Sequence, residues 1–478
     1  MKSKTINTNI FKSIIFAFVL MLGVVFGFSA CGTNVGFDDG PTSTDVVIGN
    51  GTSALMYGNY AYYVNGYVAN SDVGNTNTYG KVTYGAVYRT KLVNGKVVEK
   101  EKELDEDGNE KFDKTQAILN TGILVSKICG YEKTQLYIFD NYLYYTTPGN
   151  QVSKDGTIEN DHIDFCRIKI DGHTRGEKLF TSSSTISSIS YYMYKYNNRA
   201  YLVVKDGEVL KIGECTESNF KLETLDEGSY KIGSIAPTKY TRSNDVVDAL
   251  DSAVYFTYTN DDIRDGNLLA KYDLSTRKIT TLSNINENSF TLIASVGGKL
   301  YYNKKAFLAP GTSGEYLYYN TMGENYVATE KQLSFNAYTA SNITPYNAES
   351  IGAFISDGSN VYKFNADGTQ TKFIEGNATV IAQRGSYVFY TLNNVLYKKL
   401  ISGTDAQEIV TLSSSDATKN TLSVVSGTQV FYLQEYTNTA GTSYYMHYID
   451  TSIEEDDQIY NHFIGVLAEK DYLDEPTE

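Results

Sequence analysis

A short pattern, repeated along most of the chain, limits the folds open to it. Residues 385–412 read GSYVFYTLNNVLYKKLISGTDAQEIVTL, in which the β-rich runs YVFYTL, VLYKKL and EIVTL are separated by NN and by SGTDAQ. Relatives of this stretch occupy 55–104, 136–180, 191–213, 251–282, 290–320, 351–374 and 422–450. The alternation in VLYKKL and KFNADGTQTKFI has the two-residue period of strands. Asn65-Gly66, Asn94-Gly95, Asp171-Gly172, Asp206-Gly207, Gly297-Gly298 and Asp367-Gly368 are dipeptides that accept the positive φ of two-residue hairpins. Each unit is therefore expected to be an antiparallel meander of about four strands, recurring every ~40–60 residues, the spacing of propeller blades. One such sheet cannot bury both of its faces. A ring of seven or eight stacks sheet on sheet and removes the long edges. The expectation is an all-β chain: a β-propeller of seven to eight four-stranded antiparallel blades. A β-sandwich and a β-solenoid are the alternatives.

Composition agrees. The 478 residues include 42 Tyr and 39 Gly but only 6 Pro and no Trp. Tyr is a strand former with an apolar body and a polar tip. The formal charge of −15 argues against a nucleic-acid partner, which would need a basic stripe.

The first thirty residues read as a targeting segment. Lys2, Lys4 and Lys12 precede the apolar run SIIFAFVLMLGVVFGF, and the small residues Ser29 and Ala30 follow it. Phe28-Ser29-Ala30-Cys31 resembles the lipobox of bacterial lipoproteins, with Phe28 in place of the usual Leu. That resemblance implies lipid on the Cys31 thiol, cleavage before it, and attachment to the membrane with the rest of the chain on the extracytoplasmic side. An ordinary secretory signal or an uncleaved anchor, with Cys31 incidental, is the alternative. The stretch after Cys31 is small, polar and without period, as a tether would be. The division expected is 1–30 signal peptide, 31–53 flexible tether, 54–467 propeller and 468–478 acidic tail. After residue 30 no apolar run reaches the ~18 residues of a membrane helix.

A second resemblance concerns the repeat. LYYTTPGN (143–150) with CRIKIDGHTRGEKLF (166–180), LLAKYDLSTRKITTL (268–282) and NVYKFNADGTQTKFI (360–374) resemble YWTD-type and TolB-type propeller repeats. Tyr145-Thr146-Thr147 stands where the eukaryotic repeat has Trp-Thr-Asp. The resemblance implies a fold, and is similar to bacterial surface lipoproteins whose propellers have no assigned function.

Motifs for chemistry are scarce. No G-x-S-x-G occurs, and His162, His173, His447 and His462 lack metal spacing. No metal and no cofactor are expected. Cys129, Cys166 and Cys215 are an odd set without a C-x-x-C pair and read as small buried hydrophobes, a Cys129–Cys166 disulfide being the alternative. Asp105, Asp107 and Asn109 within 97–116, and Asp261, Asp262 and Asp265 within 260–267, invite a calcium reading but lack the EF-hand order. Both read as solvated loops. Asp140, Asp251 and Asp357 fall at hairpin starts, where Asp caps turns. A carboxylate pair for glycoside hydrolysis leaves no sequence trace, so a propeller glycan hydrolase or lyase stays open. A non-enzymatic platform for a protein or a cell-envelope glycan is the leading expectation. Its candidate ligand-binding residues are Tyr60, Tyr62, Tyr67, Tyr194 and Tyr196, taken as loop tyrosines that offer area and a hydroxyl.

Overall fold

The computed structural model describes residues 40–41, 47–67, 84–94, 97–98, 120–131, 133–152, 158–225, 229–237, 252–296, 299–307, 315–322, 326–333, 343–346, 352–365, 369–412, 423–425, 429–438, 441–451 and 461–464. Their strands form eight separate antiparallel sheets in chain order. The sheets span 47–125, 137–181, 189–224, 231–281, 288–332, 343–375, 379–411 and 423–463, and are blades 1 to 8 below. The opening stretch, 385–412, falls within blade 7.

Apolar side chains fill every seam between neighbouring blades. One cluster joins blade 8, blade 1 and blade 2, through residues such as Phe431, Leu55 and Leu143. Six further clusters fill the seams 2–3, 3–4, 4–5, 5–6, 6–7 and 7–8 in turn. Blade 1 also meets blade 8 directly, strand Ala54–Tyr57 lying near Ser423–Val425. The ring of eight is closed.

Three expectations need correction. Blade 1 has five strands, not four, because Val47–Ile48 pairs with Met56 and Tyr57. The same segment shortens the expected 31–53 tether. Asn50 exchanges hydrogen bonds with the Ile138 backbone at 2.7 and 3.3 Å, and Thr52 bridges Leu136, so 47–53 belong to the fold. The third concerns turns. Among the expected glycine pairs only Asp206-Gly207 opens a described two-residue hairpin, Gly207 having φ +65°. Asn65-Gly66, Asn94-Gly95 and Asp171-Gly172 begin or lie in longer connections. The other described two-residue turns are Gly58-Asn59 and Gly385-Ser386, with glycine at φ +58° and +54°, and Asp140-Asn141, Asn197-Asn198 and Asn393-Asn394, with φ between 48° and 64° at both positions. Asx residues tolerate this left-handed conformation, so NN works as NG does.

Because each blade is a simple meander, its connections alternate between two faces. Turns joining first to second and third to fourth strands lie on one face, called face A. Second-to-third turns and the links between blades lie on face B. Blade 1 follows the same rule once Val47–Ile48 is set aside.

Candidate functional site

The polar side chains near the seams show what holds the ring and where it departs from its own rule. In blade 1 the third strand, Ala86–Lys91, carries Arg89 two residues before its end. Arg89 is buried, stacks 4.9 Å from the ring of Tyr60, and donates to the Ile170 carbonyl of blade 2 at 2.8 Å. Blade 2 repeats this: Arg167 lies 4.5 Å from the Tyr142 ring and donates to the Thr216 carbonyl of blade 3 at 2.6 Å. Blade 7 repeats it with Lys398, which lies 5.3 Å from Tyr387 and donates to the Thr451 carbonyl of blade 8 at 2.6 Å. In all three the aromatic ring opens the second strand, and the acceptor is the first residue after the next blade's third strand. A hydrogen bond from a charged donor contributes ~1.5–3 kcal/mol and the cation–π contact ~0.5–2 kcal/mol. These are clasps on face A.

The position in blade 3 is inverted. Glu214 faces Tyr201 across the strands, in the register that Arg89 has with Tyr62 and Arg167 with Tyr144. Arg199 replaces the ring at the head of the second strand and ion-pairs with Glu214. Donation across the seam now comes from blade 4, where Arg277 in the turn 274–277 reaches Glu214 at 3.1 Å and Glu223 at 3.6 Å. The seam opens here into a shallow cleft of about 10 Å³, room for roughly one water, lined by Tyr201, Ile212, Glu214, Lys221, Glu223, Tyr272, Leu274 and Arg277. Burial, then Glu214, raise the Tyr201 hydroxyl pKa, and burial, then Glu223, raise that of Tyr272. Both tyrosines therefore stay neutral hydrogen-bonding groups at physiological pH. Tyr201 and Tyr272 are buried and form the floor of the cleft, so what it presents to solvent is charge: Glu214, Glu223, Lys221 and Arg277. Arg277 bridges the two carboxylates, in the space where a glycosidic oxygen or a water would have to enter.

A second polar cluster lies on face B of the 2–3 seam. Asp206 is fully buried and accepts from the Ser183 and Ser184 backbone at 2.7 and 2.8 Å and from Lys211 at 2.6 Å. Lys211 also donates to the Ser183 hydroxyl at 2.7 Å. The Lys211 amino group is thus shared between the Asp206 carboxylate and the Ser183 hydroxyl. Burial opposes the Asp206 carboxylate, yet the bonds from Lys211, Ser183 and Ser184 outweigh it and lower its pKa. The cluster is a buried fastener.

The five sequence-predicted tyrosines do not come together. Tyr60 and Tyr62 are buried within strand Tyr60–Asn65 and Tyr194 within Ile189–Tyr196, so these three are core residues and not loop contacts. Tyr194 donates to the Ala236 carbonyl at 2.7 Å. Tyr67 is half-buried and packs edge-on against Tyr444, and half-buried Tyr196 packs on the 3–4 core. Both faces of a blade are covered, so a Tyr in alternation has no wet side to point to. Nothing in the sequence marked Tyr201, Tyr272, Glu214 or Arg277, which lie on four strands and turns of two blades.

The remaining candidates behave as structural groups. Cys129, Cys166 and Cys215 are free and buried, and burial pushes the latter two thiols up to about 12. A thiol in that state is not a nucleophile. Asp140 sits in its tight turn at φ +49°, and Asp357 accepts from the Ser359 and Asn360 backbone at 2.8 and 2.7 Å. In 260–267, Asn260 caps the turn and Lys231 pairs with Asp261 at 2.9 Å. Among the described residues no group of three metal-ligating side chains gathers. Among them no helix is long and apolar enough to cross a membrane. Cys31, Asp251, Asp105, Asp107, Asn109 and the acidic tail lie outside the described residues.

No family model matches the chain, and no curated protein matches it. Solved structures do resemble it. A puromycin hydrolase aligns at TM-score 0.44 and 13% identity, covering 69% of this chain and 53% of that one. The β-propeller domain of the Trilobed protease from Pyrococcus furiosus aligns at 0.38 and 10%, covering 77% and 98%. Virginiamycin B lyase from Staphylococcus aureus aligns at 0.34 and 15%, covering 63% and 94%. The chain spans about half the length of the first of these, and the likeness is one of fold.

Proposed function

We propose that this chain is a lipid-anchored, extracytoplasmic β-propeller that serves as a non-enzymatic binding or assembly platform for a protein or a cell-envelope glycan. The observation that carries the binding role is the inverted 3–4 seam. There the charges that close other seams are turned toward a cleft floored by two tyrosines. Arg277, Lys221 and the two glutamates at the mouth of the cleft supply directional, charge-assisted hydrogen bonds. The anchor reading rests on Phe28-Ser29-Ala30-Cys31 alone.

Retention of cell-wall glycan or of a stoichiometric protein from a membrane extract tests the platform. Wild-type protein is expected to retain a partner, and Lys221→Ala and Arg277→Ala to lose it while staying folded. Equal retention by both variants overturns the cleft. Glu214 and Glu223 project from one face of neighbouring strands, which favours glycan hydrolysis or lysis as the second reading. Reducing-end release that disappears in Glu214→Gln and Glu223→Gln would replace the platform with that reading. For the anchor, Cys31→Ala is expected to leave the precursor uncleaved and unlabelled by a fatty-acid analogue; normal processing and labelling would refute it.

A further inference from the structure

The described chain begins at a defined place on the ring. Gly40, at φ +79°, lies over the 1–2 seam, where a Cβ would stand 3.1 Å from the Arg89 guanidinium, 3.8 Å from the Ile170 carbonyl oxygen and 3.9 Å from the Asp171 Cα. Ile170 and Asp171 open the connection between the third and fourth strands of blade 2, so Gly40 lies on face A. Any side chain there would be strained by the left-handed backbone and crowded by Arg89, so the glycine lets the chain pass close over the clasp.

From this position we infer that face A, at blades 1 and 2, is the surface turned toward the lipid bilayer. The inference rests on the anchor at Cys31 proposed above. From Cys31 to Gly40 is 40 − 31 = 9 residues. At ~3.3–3.6 Å per residue they span at most about 32 Å fully extended. The exit on face A at blade 2 is thereby held within that reach of the membrane. Lys91, Lys169 and Arg175 end third strands or lie in the adjoining turn, and Val93 is 46% exposed beside them. Among the described positions of those turns the acidic residues are Asp140 and Asp171; the connection 92–120 of blade 1, on the same face, carries eight acidic and five basic residues in sequence. Basic and apolar side chains together are what an interfacial contact uses. The cleft of the 3–4 seam opens on the same face, so its partner is one that reaches the membrane-proximal edge of the ring.

The test uses full-length lipidated protein in vesicles containing anionic lipid and spin-labelled headgroups. A fluorophore is attached to Arg175→Cys on face A or to Glu208→Cys on face B; the native thiols at 129, 166 and 215 are buried and do not compete for label. Headgroup quenching is expected to be several-fold stronger at 175 than at 208. Equal quenching, or stronger quenching at 208, in protein that floats with the vesicles overturns the orientation and leaves the anchor intact. Protein that does not float, or whose Cys31 carries no lipid, overturns the anchor and the orientation with it.

Discussion

The 2–3 and 3–4 seams join the same central blade to its two neighbours, yet they are closed differently. At 2–3 a buried Arg167 on face A and a buried Asp206–Lys211 pair on face B hold the sheets from both ends. At 3–4 the equivalent register carries Glu214, whose partners Arg199 and Arg277 are 54% and 41% exposed. The first arrangement surrounds its charges with protein, where each one removed leaves another stranded. The second leaves its charges in contact with water, where they contribute little to stability and remain available to a ligand. Reversing the sign of a single clasp thus leaves one seam of a repeated fold with its charges exposed.

The largest effect expected is at Asp206. Asp206→Ala leaves Lys211 buried without its counter-charge and the Ser183 and Ser184 amides without an acceptor. Breaking such a pair costs about 3–5 kcal/mol. Unfolding in urea, followed by far-UV circular dichroism, should show the midpoint fall steeply. A shift no larger than that of a surface variant would show that the seam is not fastened there. The same carboxylate sets a pH dependence. Its pKa is lowered in the fold, so its contribution is fully present above the ordinary carboxylate value, ~3.9, and is lost as pH falls through the folded value. Asp206→Asn should flatten the loss of stability below about pH 4 relative to wild type.

Next comes Arg167→Met, which keeps the apolar stem but deletes the donor to Thr216 and the stacking on Tyr142. Glu177, its carboxylate partner, is 52% exposed and can be solvated, so the expected cost is about 2–3 kcal/mol, less than at Asp206. Lys398→Met at the 7–8 seam should behave alike. If either is neutral, the recurrence of the clasp is geometry without energetic weight.

How much of this was legible beforehand differs between backbone and side chains. Alternation in stretches such as VLYKKL, with turn residues between, was enough to count about eight units, because strand period and turn chemistry are local. The clasps are written in the sequence as YRTK (88–91) and CRIK (166–169), but a cation near a strand end usually points to water. Only the stacking of the next blade buries it. The tyrosines misled for the same reason. YAYYVN, at 60–65, is buried along its whole length, so alternation there separates two buried faces and not core from solvent. Glu214 was less legible still, since its meaning comes from comparison with Arg89 and Arg167 once the register is known.

The smallest stability effect, and the sharpest use of the comparison, is expected at Arg277. Arg277→Ala removes exposed ion pairs to Glu214 and Glu223, and exposed pairs contribute ~0–1 kcal/mol. The urea midpoint should therefore barely move, in contrast to Arg167→Met one seam away. Partner retention should respond in the opposite order, lost in Arg277→Ala and kept in Arg167→Met under conditions where both are folded. Raising salt should weaken retention by the wild type and leave the midpoint of Asp206-closed protein nearly unchanged, because screening acts on the exposed cleft far more than on the buried pair. If Arg277→Ala instead unfolds the ring as readily as Arg167→Met, the 3–4 seam is a clasp of reversed polarity and nothing more, and the cleft loses its standing as a site.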